Sequence, residues 1–334
     1  MVRVRPVASL SLDLDNEWSY LKTRGDDTWA TYPSYLDVVV PRVLDELDRL
    51  GLRITFFIVG QDAAQREHHD VLAEIPRRGH EVGNHSFRHE PWLHRYSADE
   101  VDDEIARTGD AVERATGQRP RGFRGPGYSL SLPTLRALVR QGYEYDASTL
   151  PTYLGPLARA YYFRRAHLDE AERREREVLF GTLRDGLRPI TPYRWRVDDT
   201  TLLEIPVTTF PGVKVPFHVS YLLTLAGVSP AAARAYLRTA LAACRAAGVG
   251  PSILLHPLDF LDGKDAPGLD FFPGMATPWR DKLDRVATYL DAFRRRLDVR
   301  PVGEHAAALG GRRLKIREPN FAAAAAAAGH EVAA

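Results

Sequence analysis

The sequence predicts an α/β fold, a distorted (β/α)7-type barrel carrying one long insertion. Strand-like apolar runs alternate with helical patterns along the chain, which implies mainly parallel strands joined by crossovers. About seven such units fit the spacing, and titratable residues fall at the strand ends, where barrels of this kind build their sites. The 334 residues suffice for one large core. A single catalytic domain is expected over 1–310, with the insertion at about 149–201 and a partly low-complexity tail over 311–334.

Val7 to Asp15 alternates strictly, with Leu10, Leu12 and Leu14 on one face and Ser9, Ser11, Asp13 and Asp15 on the other. Apolar spacing predicts a helix from Tyr35 to Leu50, closed by Gly51. Arg53 to Val59 reads as a strand, Val71 to Arg78 as a helix, and the segment near Glu81 as a short strand. Ser97 with Glu100 three residues on forms a capping box. Arg121–Arg124 is a short strand, Leu132–Gln141 a helix and Tyr143–Ala147 a strand. Leu202–Val207 is a strand, and Ser229-Pro230 opens an Ala-rich helix because proline fits the first helical position. Ser252–His256 is a buried strand and Pro278–Leu297 the final helix. Asn16–Pro33 reads as an aromatic loop, and 149–201 as a lid or binding wall with a charged helix around Glu170–Glu177.

A net charge of +1 gives no field that would draw nucleic acid or an anionic membrane. The one cysteine, Cys244, excludes an internal disulfide and reads as core. No window reaches the roughly 18 apolar residues of a spanning helix. The N-terminus lacks the apolar stretch of a secretory signal, so a cytoplasmic location is the expectation.

Four elements carry chemistry. Asp13 and Asp15 lie two apart on a strand, about 6.6 Å between Cα atoms. That suits one carboxylate on a metal and the other beside the attacking water, though a solvated strand end has the same pattern. His85 and His89 are spaced to meet on one face of a helical turn. Two histidines and a carboxylate leave a position open, as in catalytic zinc sites. Arg124 can orient a carboxylate, and the turn Gly125-Pro126-Gly127 can aim backbone N–H groups at an oxyanion. His256, ending a buried strand, suits general acid work.

In this order the elements resemble the polysaccharide deacetylase (NodB-homology) family, carbohydrate esterase family 4, over roughly residues 5 to 305. His85-Ser86-x-x-His89 resembles its His-Ser/Thr-x-x-His motif, Arg124-x-Pro126 its Arg-x-Pro motif, and Ile253-Leu254-Leu255-His256 its Leu-x-x-His motif. The resemblance implies a NodB-like barrel and a metal-dependent hydrolase. Asp13 would be the base, Asp15, His85 and His89 the metal ligands, and His256 the acid. Arg124 would steady Asp13, Gly127 N–H would hold the oxyanion, and Asp146 would orient Arg124. The Asp-x-Asp spacing resembles an intracellular branch in place of adjacent aspartates, and the Asp-x-x-Asp-Trp segment is incomplete. The implied metal is Zn2+, with Co2+, Ni2+ or Mn2+ as the alternatives. The implied substrate is an N-acetyl or N-formyl amino sugar, free or on a nucleotide or lipid carrier. A ureide or cyclic-amide hydrolase on the same fold, a glycosyltransferase using Asp-x-Asp, and a non-enzymatic sugar-binding protein are the rivals.

Trp18, Tyr20, Tyr161, Tyr162, Tyr193 and Trp195 concentrate in segments the barrel does not need and are expected to contact substrate, with Tyr128 beside the Gly127 turn added to them. Val213–Val228 is apolar enough to rest on a membrane face or cover an acyl carrier, or to be buried. Membrane contact is thus at most peripheral, and no nucleic-acid partner is expected.

Overall fold

The structure is a computed structural model that describes residues 5–155, 157, 170 and 183–321. The strands are β1 Val7–Leu14, β2 Thr55–Ile58, β3 Glu81–Asn84, β4 Gly122–Phe123, β5 Tyr145–Asp146, β6 Tyr193–Val197, β7 Thr200–Glu204, β8 Ser252–Leu255, β9 Asp298–Arg300 and β10 Ile316–Arg317. The helices are α1 Glu17–Arg24, α2 Leu36–Leu50, α3 Gly60–Ala64, α4 His69–Arg77, α5 Ala98–Thr116, α6 Leu132–Arg140, α7 Val219–Val228, α8 Pro230–Ala246, α9 Trp279–Arg294 and α10 Val302–Ala307. One sheet runs β10-β6-β7-β5-β4-β3-β2-β1-β8, with β9 paired to β1. All its pairs are parallel except the β6–β7 hairpin.

The hydrogen-bonded ladder is open between β7 and β8. Beyond β7, Thr208 donates its N–H to the Ser252 carbonyl at 2.9 Å, and its hydroxyl accepts the Ser252 N–H at 2.8 Å. Two bonds thus stand where a ladder would close the ring, so the expected barrel is present in distorted form.

The alternation of β1 decides what lies inside. Leu10, Leu12 and Leu14 join the core with Leu36, Val39, Val40 and Val43 of α2, whose apolar stripe recurs at helical spacing. Each such fully buried side chain contributes about 1.5–3 kcal/mol. The opposite face turns polar groups into the sheet's interior: Ser9 meets His305 Nδ1 at 3.0 Å, and Ser11 accepts from Arg124. At the lower end the start of α10 donates two N–H groups, from Val302 to Thr55 Oγ1 and from Gly303 to Glu81. A carboxylate is favoured at such orphan helix donors.

Most predicted boundaries agree with the structure to within two residues. The Ser97–Glu100 capping box is formed, Gly51 ends α2 in the left-handed region, and Cys244 is buried. Three expectations change. Asn16–Pro33 is not a plain loop: Asn16 caps α1, and Trp18 and Leu21 are buried beneath it. Tyr193-Arg194-Trp195 belongs to β6, because Tyr193, Trp195 and Val197 alternate inward against Arg194 and Arg196. Part of the expected tail, Ile316–Arg317, pairs with β6. The expected Glu170–Glu177 helix, apart from Glu170, and the Ala322–Ala328 run lie outside the described residues.

Candidate metal centre and active site

Strand register assembles the site along one edge of the sheet. β1 pairs with β2 through Leu14 and Ile58, β2 with β3 through Ile58 and Asn84, and β3 with β4 through Asn84 and Phe123. The next residues along each strand therefore form a row at the carboxyl ends: Asp15, Val59, His85 and Arg124. On the other side of β1, Leu12 pairs with Leu255, which sets His256 beside Asp13.

His85 Nε2 lies 3.2 Å and His89 Nε2 3.0 Å from Asp15 Oδ1. Donor atoms of the three buried residues all fall within 4.8 Å of one another. His85 donates Nδ1–H to the Arg124 carbonyl at 2.6 Å, which fixes Nε2 as the free nitrogen facing Asp15. Tetrahedral ligands about 2.1 Å from a metal stand roughly 3.4 Å apart, so two imidazoles and one carboxylate at these spacings fit a divalent cation such as Zn2+. Burial pushes Asp15 upward, but the charges and hydrogen bonds of His89 and His85 hold it well below the usual carboxylate range. Burial opposes charge on His85, and Asp13 and Asp15 outweigh it and raise that imidazole.

The two histidines do not sit on a helical turn, contrary to the sequence expectation. Ser86 and His89 have positive φ, 58° and 52°, and residues 85–89 form no helix. Glu104, buried on α5, shapes the segment. Its Oε2 accepts the N–H groups of Phe87 and Arg88 at 2.9 Å each, and its Oε1 meets the Arg88 guanidinium at 3.2 Å. Asn84 Oδ1 accepts the Ser86 N–H, and the Ser86 and Phe87 carbonyls accept from Gly60 and Gln61 at the start of α3. Wiring to neighbouring elements, rather than i,i+4 geometry, brings the rings together.

Arg124 is fully buried. Its Nη1 reaches Asp13 Oδ1 at 2.7 Å and Ser11 at 2.8 Å, its Nε reaches the Ala147 carbonyl at 2.9 Å, and its plane lies 4.3 Å from the Phe57 ring. Asp13 is thereby steadied by one charge-assisted hydrogen bond. Asp146 is not among the hydrogen-bond partners of Arg124, contrary to the sequence expectation. It accepts the Ser148 hydroxyl, and the Ser148 oxygen accepts the Gly125 N–H, so Asp146 holds the turn that carries Arg124. Asp146 also faces Glu204. Burial raises Asp146, and burial with the Asp146 charge raises Glu204 well above the usual carboxylate range. Gly127 occupies the left-handed region at φ 56°. The two turn bonds are donated by Tyr128 and Ser129, so neither uses the Gly127 N–H.

His256 Nδ1 lies 3.0 Å from Ser220 Oγ, and its backbone N–H donates to Asp259 at 2.9 Å. His218, buried and kept neutral by its burial and by positive neighbours, stands 5.6 Å from the His256 ring between centroids. Tyr20 is pushed well above the usual phenol range by burial and by the charge of Asp15. Burial and the charge of Asp13 likewise raise Tyr128.

Of the expected substrate aromatics, Tyr20 and Tyr128 border the site. Trp18 is buried and donates Nε1–H to Asp62 at 2.8 Å. Tyr193 and Trp195 pack in a second core cluster with Phe123 and Leu135. These three are core residues: strand alternation turns Tyr193 and Trp195 inward, and Trp18 is buried on α1. Tyr161 and Tyr162 lie outside the described residues. Sequence reading missed Glu104, Ser220, His218 and Asp259. A glutamate on the apolar stripe of α5, with Val101, Ile105 and Thr108, was the available signal for Glu104; for Asp259 it was the spacing His256-x-x-Asp259.

Fold and site together are similar to those of polysaccharide deacetylase domains. Residues 22–145 match the polysaccharide deacetylase family model. The match includes His85, His89 and Arg124; Asp13, Asp15 and His256 join by geometry. A peptidoglycan-N-acetylglucosamine deacetylase of Bacillus cereus is 31% identical over 86 residues, 26% of this chain and 30% of that protein. A peptidoglycan-N-acetylmuramic acid deacetylase of Bacillus subtilis is 31% identical over 111 residues, 33% of this chain and 41% of that protein. The chain thus aligns with less than half the length of either relative. A crystal structure of a candidate polysaccharide deacetylase from Mycobacterium smegmatis shares the fold, with TM-score 0.59 and 21% identity over 96% of this chain and 99% of the other.

Proposed function

We propose that this protein is a metal-dependent hydrolase that removes an N-acyl group from an amino sugar. The observation that carries the reading is the Asp15–His85–His89 donor set with Asp13 beside it, held by Arg124. A divalent cation bound there supplies Lewis acidity toward the amide carbonyl and its attacking water. Asp13 Oδ1 is committed to Arg124, so Oδ2 is the atom to take the water's proton. The Gly127 N–H donates toward the developing oxyanion. His256, through Nε2, delivers a proton to the departing amine. Zn2+ suits two imidazoles and a carboxylate, and Co2+, Ni2+ and Mn2+ are the alternatives.

Relatives named as peptidoglycan deacetylases favour an N-acetylhexosamine as the reacting unit. A finer form of the reading is a small or carrier-linked sugar handled in the cytoplasm. Val213, Tyr221 and Val228, exposed at 61%, 40% and 87%, support the carrier-linked version. No helix among the described residues is long and apolar enough to cross a membrane. The test combines metal analysis of the purified protein with acetate and formate release from free, nucleotide-linked, lipid-linked and polymeric N-acyl sugars. Metal bound elsewhere, or no acyl release by metal-loaded protein from any of them, would overturn the reading. Acetate from peptidoglycan or chitin alone would refute its cytoplasmic form.

A further inference from the structure

Asp15 and the His85–His89 loop belong to different elements, and one short helix is bonded to both. α3 begins at Gly60, whose N–H donates to the Ser86 carbonyl at 2.9 Å; the Gln61 N–H donates to the Phe87 carbonyl at 3.0 Å. The next residue, Asp62, is 1% exposed, and its side chain reaches the exit of β1. Its Oδ1 accepts Asn16 Nδ2–H and Trp18 Nε1–H, both at 2.8 Å. Its Oδ2 is buried and has no hydrogen-bond partner among the described residues. Asp62 stands outside the donor set of Asp15, His85 and His89.

Asn16 directly follows Asp15, and its amide is saturated. Nδ2 donates to Asp62 and, at 2.9 Å, to Ser34 Oγ, while Oδ1 accepts the N–H groups of Glu17 at 2.9 Å and Tyr35 at 3.2 Å. A carboxylate only accepts hydrogen bonds, so Nδ2 is the atom that meets Asp62. The Asp15 carbonyl accepts the Tyr35 hydroxyl at 2.5 Å. The backbone that presents Asp15 is thus tied twice, at its own carbonyl and at the side chain of the next residue. Without the Asp62 oxygen, a buried Asn16 N–H loses its acceptor. That is costly enough for the amide to turn and carry the Asp15 backbone with it.

We propose that Asp62 is a positioning residue of the metal centre: through Asn16 it fixes Asp15 relative to the histidine loop that the same helix holds. The inference rests on the Asp15–His85–His89 donor set of the proposed function, and not on the reaction assigned to that set. The bond to Trp18 is a second arm of the same oxygen. It anchors the buried face of α1 and does not lead to a ligand.

The test uses the full chain loaded with Co2+, whose visible absorption reports the arrangement of its ligands. Affinity is read by competition with a chromophoric chelator. Asp62→Ala and Asn16→Ala should each weaken Co2+ binding about 10- to 100-fold and alter the absorption bands. Their effects should not add in the double variant, because both remove the same arm. Asp62→Asn keeps an oxygen for both donors and should bind Co2+ within about twofold of the native protein, with native bands. Trp18→Phe removes the other arm alone; it should melt at a lower temperature and keep native affinity and bands. Asn16→Ala carries the test by itself if Asp62→Ala does not fold. Native affinity and bands in Asn16→Ala, or bands altered equally by Trp18→Phe, would overturn the positioning role and leave the deacetylase reading standing. A native protein that binds Co2+ but releases no acyl group, and whose affinity still falls in Asp62→Ala and Asn16→Ala, would keep the positioning role and overturn the reading.

Discussion

Replacing Glu104 with alanine should damage the metal centre from one residue beyond the ligands. The side chain is 1% exposed and accepts two backbone N–H groups, from Phe87 and Arg88, at 2.9 Å each. Alanine leaves both donors without a partner, and an unmet buried donor costs about 1–3 kcal/mol. Phe87 is buried and Arg88 exposed, so water can replace the second bond and the expected loss of stability is roughly 1–3 kcal/mol. The bond to the Arg88 guanidinium adds little, because that side chain is 47% exposed. Glu104→Gln keeps an acceptor oxygen and should cost about half as much. Both donors lie between His85 and His89, so the ligands lose their relative placement, and metal affinity should fall about 10- to 100-fold. Urea unfolding of the metal-free protein measures the first effect, and competition with a chromophoric chelator the second. Native stability and native metal affinity in Glu104→Ala would refute the argument that this carboxylate shapes the loop.

Asp13 and Asp15 should separate on mutation: Asp15→Ala should lower metal occupancy, while Asp13→Asn should keep the metal and lose roughly 10²-fold or more in turnover. The reverse pattern in metal analysis would exchange their roles. Gly125→Ala should lower both stability and turnover, because the new Cβ would run into the Ser129 backbone carbonyl, which has no side-chain freedom with which to yield; a melt and rate matching the native protein would count against it. His80 is held neutral at about 4 by burial and then by the charge of Arg53, and its Nδ1 accepts the Ile54 N–H at 3.2 Å. The unfolded chain takes up this proton between pH 6.5 and 4 and the folded chain does not, so the contribution is full above pH 6.5 and lost as pH falls toward 4. The loss amounts to about 3 kcal/mol. His80→Gln should flatten the melting-temperature profile across that window, and an unchanged slope would be the contrary result.

The sequence alone determined the alternation of strands and helices and put forward Asp15, His85 and His89 as candidate donors, which the fold brings together. Those signals are local. The period of β1 sorts Leu10, Leu12 and Leu14 from Ser9, Ser11, Asp13 and Asp15 without reference to any neighbour, and caps such as Ser97 and Gly51 act within one turn. Tertiary structure decided what holds the donors in place. Glu104 and Phe87 are 17 residues apart, and Arg124 and Asp13 are 111 apart; no periodicity links them. Ser220 reaches His256 only because α7 packs against the end of β8. Trp18, Tyr193 and Trp195 show the same limit from the other side. An aromatic in an unassigned segment looks free to meet a ligand, and only packing reveals that burial and an N–H partner have already claimed it. A residue's chemical type is written in the sequence, whereas its solvation and its hydrogen-bond partners are properties of the neighbours that folding supplies.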